Sequence, residues 1–343
     1  MTQAVKNQGW RRWSKRLGLG ALVLVMGYGL FSRSSFASHL PKTQTNISLT
    51  TQTGVLQGTL ELPEVAQPVP VVLLIAGSGP TDRDGNQGPM RNNALKLVAL
   101  GLKEQGIASV RYDKRGIAES QSAGREEKDL RFEHYVQDAE AWIAQLQADP
   151  RFNAVFVMGH SEGSLIGMVA AGRKSTTGFV SLAGVGSPAA EILRTQLKAQ
   201  SASLAAQAEA PLSQLEQGKP VSDYPKALHS LFRPSVQPYL ISWFRYHPQQ
   251  EIAHLQQPLL IVQGDHDLQV TPEDAEKLAQ GAPEAQKIIL KGMNHVLKSA
   301  PLERLANLKT YAQPDVPLHP ELLPALVDFV RQHAAPAGTA EAS

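Results

Sequence analysis

Short apolar runs alternate with amphipathic segments along most of the chain. Residues Val69–Ile75 are almost continuously apolar, which is typical of a strand buried on both faces of a parallel sheet. Other segments place apolar residues at helical spacing. This alternation predicts an α/β protein with a doubly wound, mostly parallel sheet and helices on both of its faces. We expect two short strands within 46–62, further strands at 69–75, 107–112, 154–158, 178–182, 259–262 and 287–290, and helices at 94–105, 132–148, 164–172, 272–280 and 321–333.

The alternation is interrupted between residues 185 and 257. The pattern of this stretch predicts helices and no strands, and the stretch includes an Ala/Gln-rich part. An insertion of this size in a regular fold is more typical of a cap than of a second domain. We therefore predict a core made of residues 45–184 and 258–333, a helical cap insertion at 185–257, and a disordered tail at 334–343, where the residues are small and polar.

The composition is that of a globular protein. The chain has 343 residues, of which 42% are hydrophobic and 19% are charged. It has no cysteine, which excludes disulfides, thiolate metal sites and a cysteine nucleophile. The formal net charge of +2 comes from residues 1–37, which carry six basic and no acidic residues and leave 27 basic against 31 acidic residues in the remainder. Because no basic stripe follows, nucleic acid is excluded as a primary partner.

Residues 1–37 have the pattern of a bacterial secretory signal peptide. A basic cluster precedes fifteen uncharged residues, 17–31, and Ser35 and Ala37 fit the −3 and −1 positions of a cleavage site. A helix that spans a membrane needs about 20 residues, and the uncharged run is shorter than this, which favours a signal peptide. The alternative is a permanent N-terminal membrane anchor, with membrane attachment through residues 17–31. We expect an exported protein, periplasmic or secreted if the leader is cleaved, or anchored in the inner membrane and facing the periplasm if it is not.

A strand, a Gly-x-Ser-x-Gly pentapeptide and a helical pattern follow one another at residues 154–172. The pentapeptide is Gly159-His-Ser-Glu-Gly163. In such a nucleophile elbow the tight turn needs small residues at both glycine positions, so that the serine projects its hydroxyl from the carboxyl edge of the sheet. A serine hydroxyl needs a base to become reactive, and the base needs an orienting carboxylate. Ser161 is therefore the predicted nucleophile.

Two downstream strands end in residues that can supply the base and the carboxylate. The strand at 259–262 leads into a segment that contains Asp265 and Asp267, and the last strand leads into His295. We predict that His295 takes the proton of Ser161 and later returns it to the leaving group, while an aspartate fixes its tautomer. The adjacent residues Asp265, His266 and Asp267 cannot all face one ion, so we predict no metal site there.

A glycine-bearing loop follows the buried strand at 69–75. Its sequence is Gly77-Ser-Gly-Pro80, and such a loop can turn backbone N–H groups toward the nucleophile. We predict an oxyanion hole formed by the backbone N–H groups of Glu162 and Ser78, with Gly79 as the substitute for Ser78.

Two further groups of residues attract attention. Asp113, Lys114 and Arg115 follow a strand end, and we expect them to pair with the Asp82/Asp84 loop and hold it, with contact to the substrate as the alternative. Three aromatic residues of the insertion are candidates for substrate binding in an apolar acyl pocket, although burial of the insertion against the core explains them equally well. They are Trp243, Phe244 and Tyr246.

Taken together, the motifs resemble those of the α/β-hydrolase superfamily, most closely its bacterial serine esterases and S33-aminopeptidase-like members with a helical cap. The resemblance covers roughly residues 45–333 and rests on the Gly159–Gly163 pentapeptide, Gly264-x-x-Asp267, His295, the 76–86 loop and Arg111–Gly116. In that superfamily the acid stands three residues after the glycine, which favours Asp267 over Asp265 as the partner of His295.

The resemblance implies ester hydrolysis through an acyl-enzyme on Ser161, without a cofactor. We expect a carboxylesterase that takes small to medium acyl esters as its small-molecule substrates. The same triad serves aminopeptidases, amidases and acyltransferases, and the sequence does not distinguish them. A noncatalytic binding protein on a hydrolase scaffold is the alternative of another class. The oligomeric state does not follow from the sequence.

Overall fold

A computed structural model describes residues 44–124 and 126–334 of the chain. The predicted leader at 1–37 lies outside these residues, as does the predicted tail after Ala334. Within the described ranges, no helix combines the length and the hydropathy that a membrane span requires.

Eight strands form a single, mostly parallel sheet. They are β1 (Gln44–Thr51), β2 (Gly54–Glu61), β3 (Val69–Ile75), β4 (Ala108–Tyr112), β5 (Phe152–His160), β6 (Gly178–Leu182), β7 (Leu259–Gly264) and β8 (Gln286–Leu290). Their order in the sheet is β1-β2-β4-β3-β5-β6-β7-β8. The β1–β2 and β2–β4 pairings are antiparallel and the other pairings are parallel, so the predicted fold class is confirmed.

Helices cover both faces of the sheet. They are α1 (Ala94–Glu104), α2 (Phe132–Gln147), α3 (Glu162–Arg173), α4 (Ala189–Gln200), α5 (Ala202–Glu216), α6 (His229–Phe232), α7 (Gln237–Trp243), α8 (Pro248–Ala253), α9 (Pro272–Gly281), α10 (Arg304–Lys309) and α11 (Leu322–His333). Along β3, Val72 and Leu74 pack into one core with α1 and α11, while Val71 and Leu73 pack into another with α2, α3 and α9. This two-residue period buries both faces of the central strands.

Five helices, α4 to α8, lie between β6 and β7, where the sequence predicted an insertion. Helix α7 contacts the beginning of α2, because the backbone N–H of Phe132 donates to Oγ of Ser242 at 2.8 Å. It also reaches the beginning of α3, where the Tyr239 hydroxyl donates to Oε1 of Glu162 at 2.6 Å. Both helix beginnings lie at the carboxyl edge of the parallel strands, so α7 lies over that edge.

The segment between β8 and α11 contains structure that the sequence pattern did not predict. Helix α10 has six residues, too few to show an amphipathic period or to be stable alone. Tertiary hydrogen bonds hold it, since Nδ2 of Asn294 donates to Asn307 at 3.0 Å and to Thr310 at 2.7 Å. These bonds also fix the loop that carries His295.

Candidate active site

Ser161 occupies a sharp turn between β5 and α3. Its backbone angles are φ 56° and ψ −123°, a combination that residues with a side chain rarely adopt. The flanking glycines are required by close packing. A Cβ atom on Gly159 would lie 2.2 Å from the carbonyl oxygen of Gly163, and one on Gly163 would lie 2.3 Å from that of Ile75. The strained serine thus sits at the carboxyl edge of the sheet, at the first turn of α3.

The loops after β7 and β8 bring Asp267 and His295 together. Nδ1 of His295 lies 2.7 Å from Oδ2 of Asp267, and both side chains are almost completely buried. Three more donors reach the same carboxylate, namely the side-chain amide of Gln263 at 3.1 Å, the N–H of Gln269 at 2.7 Å and the N–H of Val270 at 3.0 Å. A carboxylate held in this way fixes the imidazole with the Nδ1 proton facing it and leaves Nε2 free to accept a proton.

Asp265, the other aspartate considered from the sequence, points elsewhere. Its Oδ1 accepts the N–H of Gly292 at 2.6 Å, and its side chain is 36% exposed. The structure therefore places Asp267, and not Asp265, against His295.

His160 links the turn that carries Ser161 to the loop that carries His295. Its Nε2 donates to the carbonyl oxygen of His295 at 2.8 Å, and the two imidazole rings lie 4.8 Å apart. No hydrogen bond joins the Ser161 hydroxyl to the His295 imidazole in the described part of the chain. Hydrogen bonds of this kind often form fully only when substrate is bound.

The partly buried imidazole of His160 predicts that stability falls in mild acid. Burial, together with the nearby His295, lowers the pKa of His160 from 6.5 to about 3. In the unfolded chain the ordinary pKa is restored, so between pH 6.5 and 3 the unfolded state binds a proton that the folded state does not. Lowering the pH from 7.5 to 5 is expected to remove about 2 kcal/mol from the free energy of unfolding through this group.

Urea unfolding at both pH values measures this contribution. The His160→Gln variant should lose about 2 kcal/mol less than the wild type between pH 7.5 and pH 5. The matched control is His254→Gln, because His254 is exposed, and it should follow the wild type. Identical pH responses of the wild type and His160→Gln would show that His160 does not contribute in this way.

The loop after β3 packs directly against the nucleophile turn. A Cβ atom on Gly77 would lie 3.1 Å from Cβ of Ser161, so the backbone of this loop approaches the serine closely. The N–H of Ser78 has no acceptor within the described residues. The N–H of Glu162 belongs to the first turn of α3, where backbone donors lack a partner inside the helix. Both predicted oxyanion donors are thus close to Ser161, and Gly79 follows with φ 69°.

The three charged residues after β4 have different partners, and the prediction that all of them hold the loop of Asp82 and Asp84 is wrong for Arg115. Asp113 does bind this loop, because its Oδ2 pairs with Arg83 at 2.6 Å. Lys114 holds the beginning of the same loop, where it donates to the Gly77 carbonyl and not to Asp82 or Asp84. Arg115 pairs with Asp138 of α2.

The three aromatic residues considered for an acyl pocket pack against other side chains of the protein, and Tyr246 is only partly buried. The ring of Trp243 is stacked on Phe132 at 6.4 Å, Phe244 is buried beside Trp243, and Tyr246 lies 4.8 Å from Phe132. Tyr246 also interacts with Arg173, which is the last residue of α3. At about 1.5 Å per residue, Arg173 lies about 17 Å along α3 from the first residue of this helix. These contacts are those of a packing cluster between α7 and α2.

Three residues near the candidate site were not identified as site residues from the sequence. Gln263 donates to Asp267, Lys114 donates to Gly77, and Tyr239 donates to Glu162. Gln263 and Tyr239 belong to no motif, and Lys114 lies in the Arg111–Gly116 motif, where it was expected to hold a loop. In the described ranges, no group of three or more His, Cys, Asp or Glu side chains is arranged to hold a metal ion.

Comparisons with known proteins agree with this arrangement. A family model described as serine aminopeptidase, S33, matches residues 92–233, which include the Ser161 turn. Esterase EstD of Thermotoga maritima is 31% identical over 259 residues, which are 72% of this chain and 60% of that protein. The chain therefore spans about three fifths of the length of this relative.

Solved structures show the same fold at low sequence identity. The α/β hydrolase GrgF from Penicillium sp. sh18 matches with a TM-score of 0.58 and 20% identity, over 86% of this chain and 99% of that chain. Est1E from Butyrivibrio proteoclasticus, solved with bound ferulic acid, matches with a TM-score of 0.55 and 18% identity, over 81% of this chain and 95% of that chain.

Proposed function

We propose that the chain is a member of the α/β-hydrolase superfamily, as its similarities suggest, and that it is a carboxylic ester hydrolase that works through an acyl-enzyme on Ser161. The observation that carries this proposal is the buried pair of His295 and Asp267, 2.7 Å apart, on loops at the same sheet edge as the strained Ser161 turn. Esterase EstD, as a relative that is 31% identical, supports ester hydrolysis as the reaction class.

Acylation begins with proton transfer from Ser161 to Nε2 of His295. The serine oxygen forms a bond to the ester carbonyl carbon, and the carbonyl oxygen becomes an oxyanion that accepts hydrogen bonds from the N–H groups of Ser78 and Glu162. Collapse of this intermediate breaks the bond to the alcohol oxygen, which takes the proton from His295. Asp267 keeps the imidazole oriented and stabilises its charged form.

Deacylation repeats the same steps with water as the nucleophile. His295 removes a proton from the water, the hydroxide adds to the acyl carbon, and the bond to Ser161 breaks as the serine oxygen recovers its proton. The products are the carboxylic acid and the free enzyme. The residues that carry out these steps belong to the chain itself and need no cofactor.

An aminopeptidase is the competing proposal, since the matching family model carries that description. Such an enzyme needs an acidic side chain for the free amine of its substrate. Glu162 is next to Ser161, but Lys114 and Tyr239 already occupy its carboxylate. Glu191 of the insertion lies 3.9 Å from Lys277 and is largely exposed. These contacts favour an ester with an uncharged acyl group as the substrate.

A comparison of nitrophenyl esters with aminoacyl nitroanilides tests this choice. We expect kcat/KM to be highest for small to medium uncharged acyl chains and at least about 100-fold lower for the anilides. The nitrophenolate of an ester can leave without a proton, whereas the nitrogen of an anilide has to be protonated before it leaves. A fluorophosphonate probe should label the wild type and not Ser161→Ala. Faster turnover of the anilides would establish the aminopeptidase instead, and a folded protein that neither turns over nor is labelled would be a binding protein.

We also propose that residues 185–257 act as a cap and that the protein is exported. Support for the cap comes from α7, which lies over the carboxyl edge and contacts Glu162. Support for export comes from the basic, apolar and small-residue pattern of residues 1–37. If this leader is cleaved, the protein acts in the periplasm or is secreted. If it is not cleaved, the protein acts at the periplasmic face of the inner membrane.

A further inference from the structure

Lys114 is a buried cation that the acyl-transfer steps do not use. Its side chain is 1% exposed and follows β4, which is the neighbour of β3 in the sheet. Its Nζ lies 5.0 Å from the centre of the Tyr135 ring. Burial lowers the pKa of Lys114, and the nearby Glu162 acts in the opposite direction. Burying an ammonium group costs several kcal/mol of hydration, so its position needs compensating contacts.

The strongest of these contacts is with the loop that follows β3. Nζ of Lys114 donates to the carbonyl oxygen of Gly77 at 2.5 Å. This carbonyl and the N–H of Ser78 belong to one peptide group, which is planar and trans, so the two point in opposite directions. A donor that fixes the Gly77 carbonyl therefore also fixes the direction of the Ser78 N–H.

The second contact connects Lys114 to the other proposed oxyanion donor. Nζ lies 3.4 Å from Oε2 of Glu162, whose Oε1 accepts the Tyr239 hydroxyl at 2.6 Å. Both carboxylate oxygens of Glu162 are thus held, and its backbone N–H lies at the first turn of α3. One ammonium group joins the loop after β3 to the turn after β5, which together carry both donors.

We propose that Lys114 is a positioning residue of the oxyanion hole, which holds the Gly77–Ser78 peptide so that the Ser78 N–H faces the oxyanion of the tetrahedral intermediate. The inference rests on the proposed ester hydrolysis. It assigns Glu162 a second role besides its backbone N–H, since its side chain anchors Lys114. Tyr239 brings the inserted helices into the same network.

The Lys114→Met variant tests this role, because methionine keeps an unbranched side chain and removes the charged donor. We expect kcat for a nitrophenyl ester to fall by about 10- to 100-fold with KM unchanged within about threefold, since a misaimed donor weakens binding of the transition state more than of the substrate. The affinity for an aryl boronic acid, which forms a tetrahedral adduct with the serine, should fall by the same factor as kcat/KM.

Arg115→Met is the matched control. Arg115 is the adjacent buried cation, but it pairs with Asp138 and with Thr53, and within the described residues it makes no hydrogen bond to the loop after β3. We expect this variant to lose stability while its boronic acid affinity stays within about twofold of the wild type, since it leaves the oxyanion donors in place. If Lys114→Met does not fold, Glu162→Gln replaces it, because it keeps the backbone N–H and weakens the hold on Lys114.

The outcomes separate this inference from the proposed function. A wild type that neither hydrolyses esters nor binds the boronic acid overturns both. An active wild type whose folded Lys114→Met or Glu162→Gln variant keeps its kcat and boronic acid affinity overturns the role of Lys114 alone. Equal losses in Lys114→Met and Arg115→Met show a general structural effect and overturn it as well. A loss in transition-state affinity confined to Lys114→Met and Glu162→Gln supports it.

Discussion

Replacing Ser161 by alanine is expected to lower kcat for ester hydrolysis by about a million-fold, because the variant has no oxygen that can carry the acyl group. His295→Ala should have an effect of similar size. Since the serine and the histidine act as a unit, the double variant should be no slower than either single variant beyond about threefold. Steady-state kinetics and fluorophosphonate labelling of the purified variants measure this.

Ser78→Ala is the matched control for this prediction. It removes a hydroxyl from the same site, but the proposed donor is the backbone N–H of Ser78, which alanine keeps. Its kcat should remain within about threefold of the wild type, since no oxyanion contact is lost. Activity of Ser161→Ala above about 1% of the wild type would mean that another group is the nucleophile.

Asp267→Asn is expected to lower kcat by about 10⁴-fold while the protein stays folded. The carboxylate accepts from Nδ1 of His295 on Oδ2 and from the N–H groups of Gln269 and Val270 on Oδ1. Asparagine has one oxygen, and if the two backbone donors keep it, the amide NH₂ faces His295. The histidine then carries its proton on Nε2 and can no longer accept one from Ser161.

Asp265→Asn tests the same prediction on the neighbouring aspartate. Asp265 contacts Gly292 and is partly exposed, so its substitution should change kcat by less than about threefold, as is typical for a partly exposed side chain outside the site. A larger loss of kcat in Asp265→Asn than in Asp267→Asn would reverse the assignment of the acid. Unfolding curves of both variants distinguish a catalytic effect from a loss of structure.

The fold was predictable because its signals are local. Each central strand is buried on both faces and therefore appears in the sequence as a run of apolar residues, as in Val69–Ile75. The helices between the strands show the amphipathic period. Helix α10 lacked such a signal, because its six residues are held by contacts of Asn294 rather than by their own pattern.

The candidate site was only partly predictable. Ser161 was identified because the backbone of its turn requires glycine at fixed positions on either side, and that requirement is visible in the sequence. The aromatic residues 243, 244 and 246 were identified by composition alone, and composition does not tell a packing cluster from a binding pocket. Tyr239, which does reach the Ser161 turn, had no distinguishing signal.

The sequence by itself determined the order of strands and helices, the nucleophile turn, and the loops that carry His295 and the two aspartates. These features depend on local periodicity and on backbone conformation. Only the tertiary structure decided which side chains meet. Lys114 lies 37 residues from Gly77 and 48 residues from Glu162 along the chain, and the sequence paired it with Asp82 and Asp84 rather than with these two residues. The direction of a buried charged side chain depends on which neighbours compensate its lost hydration, and those neighbours are brought together only when the sheet forms.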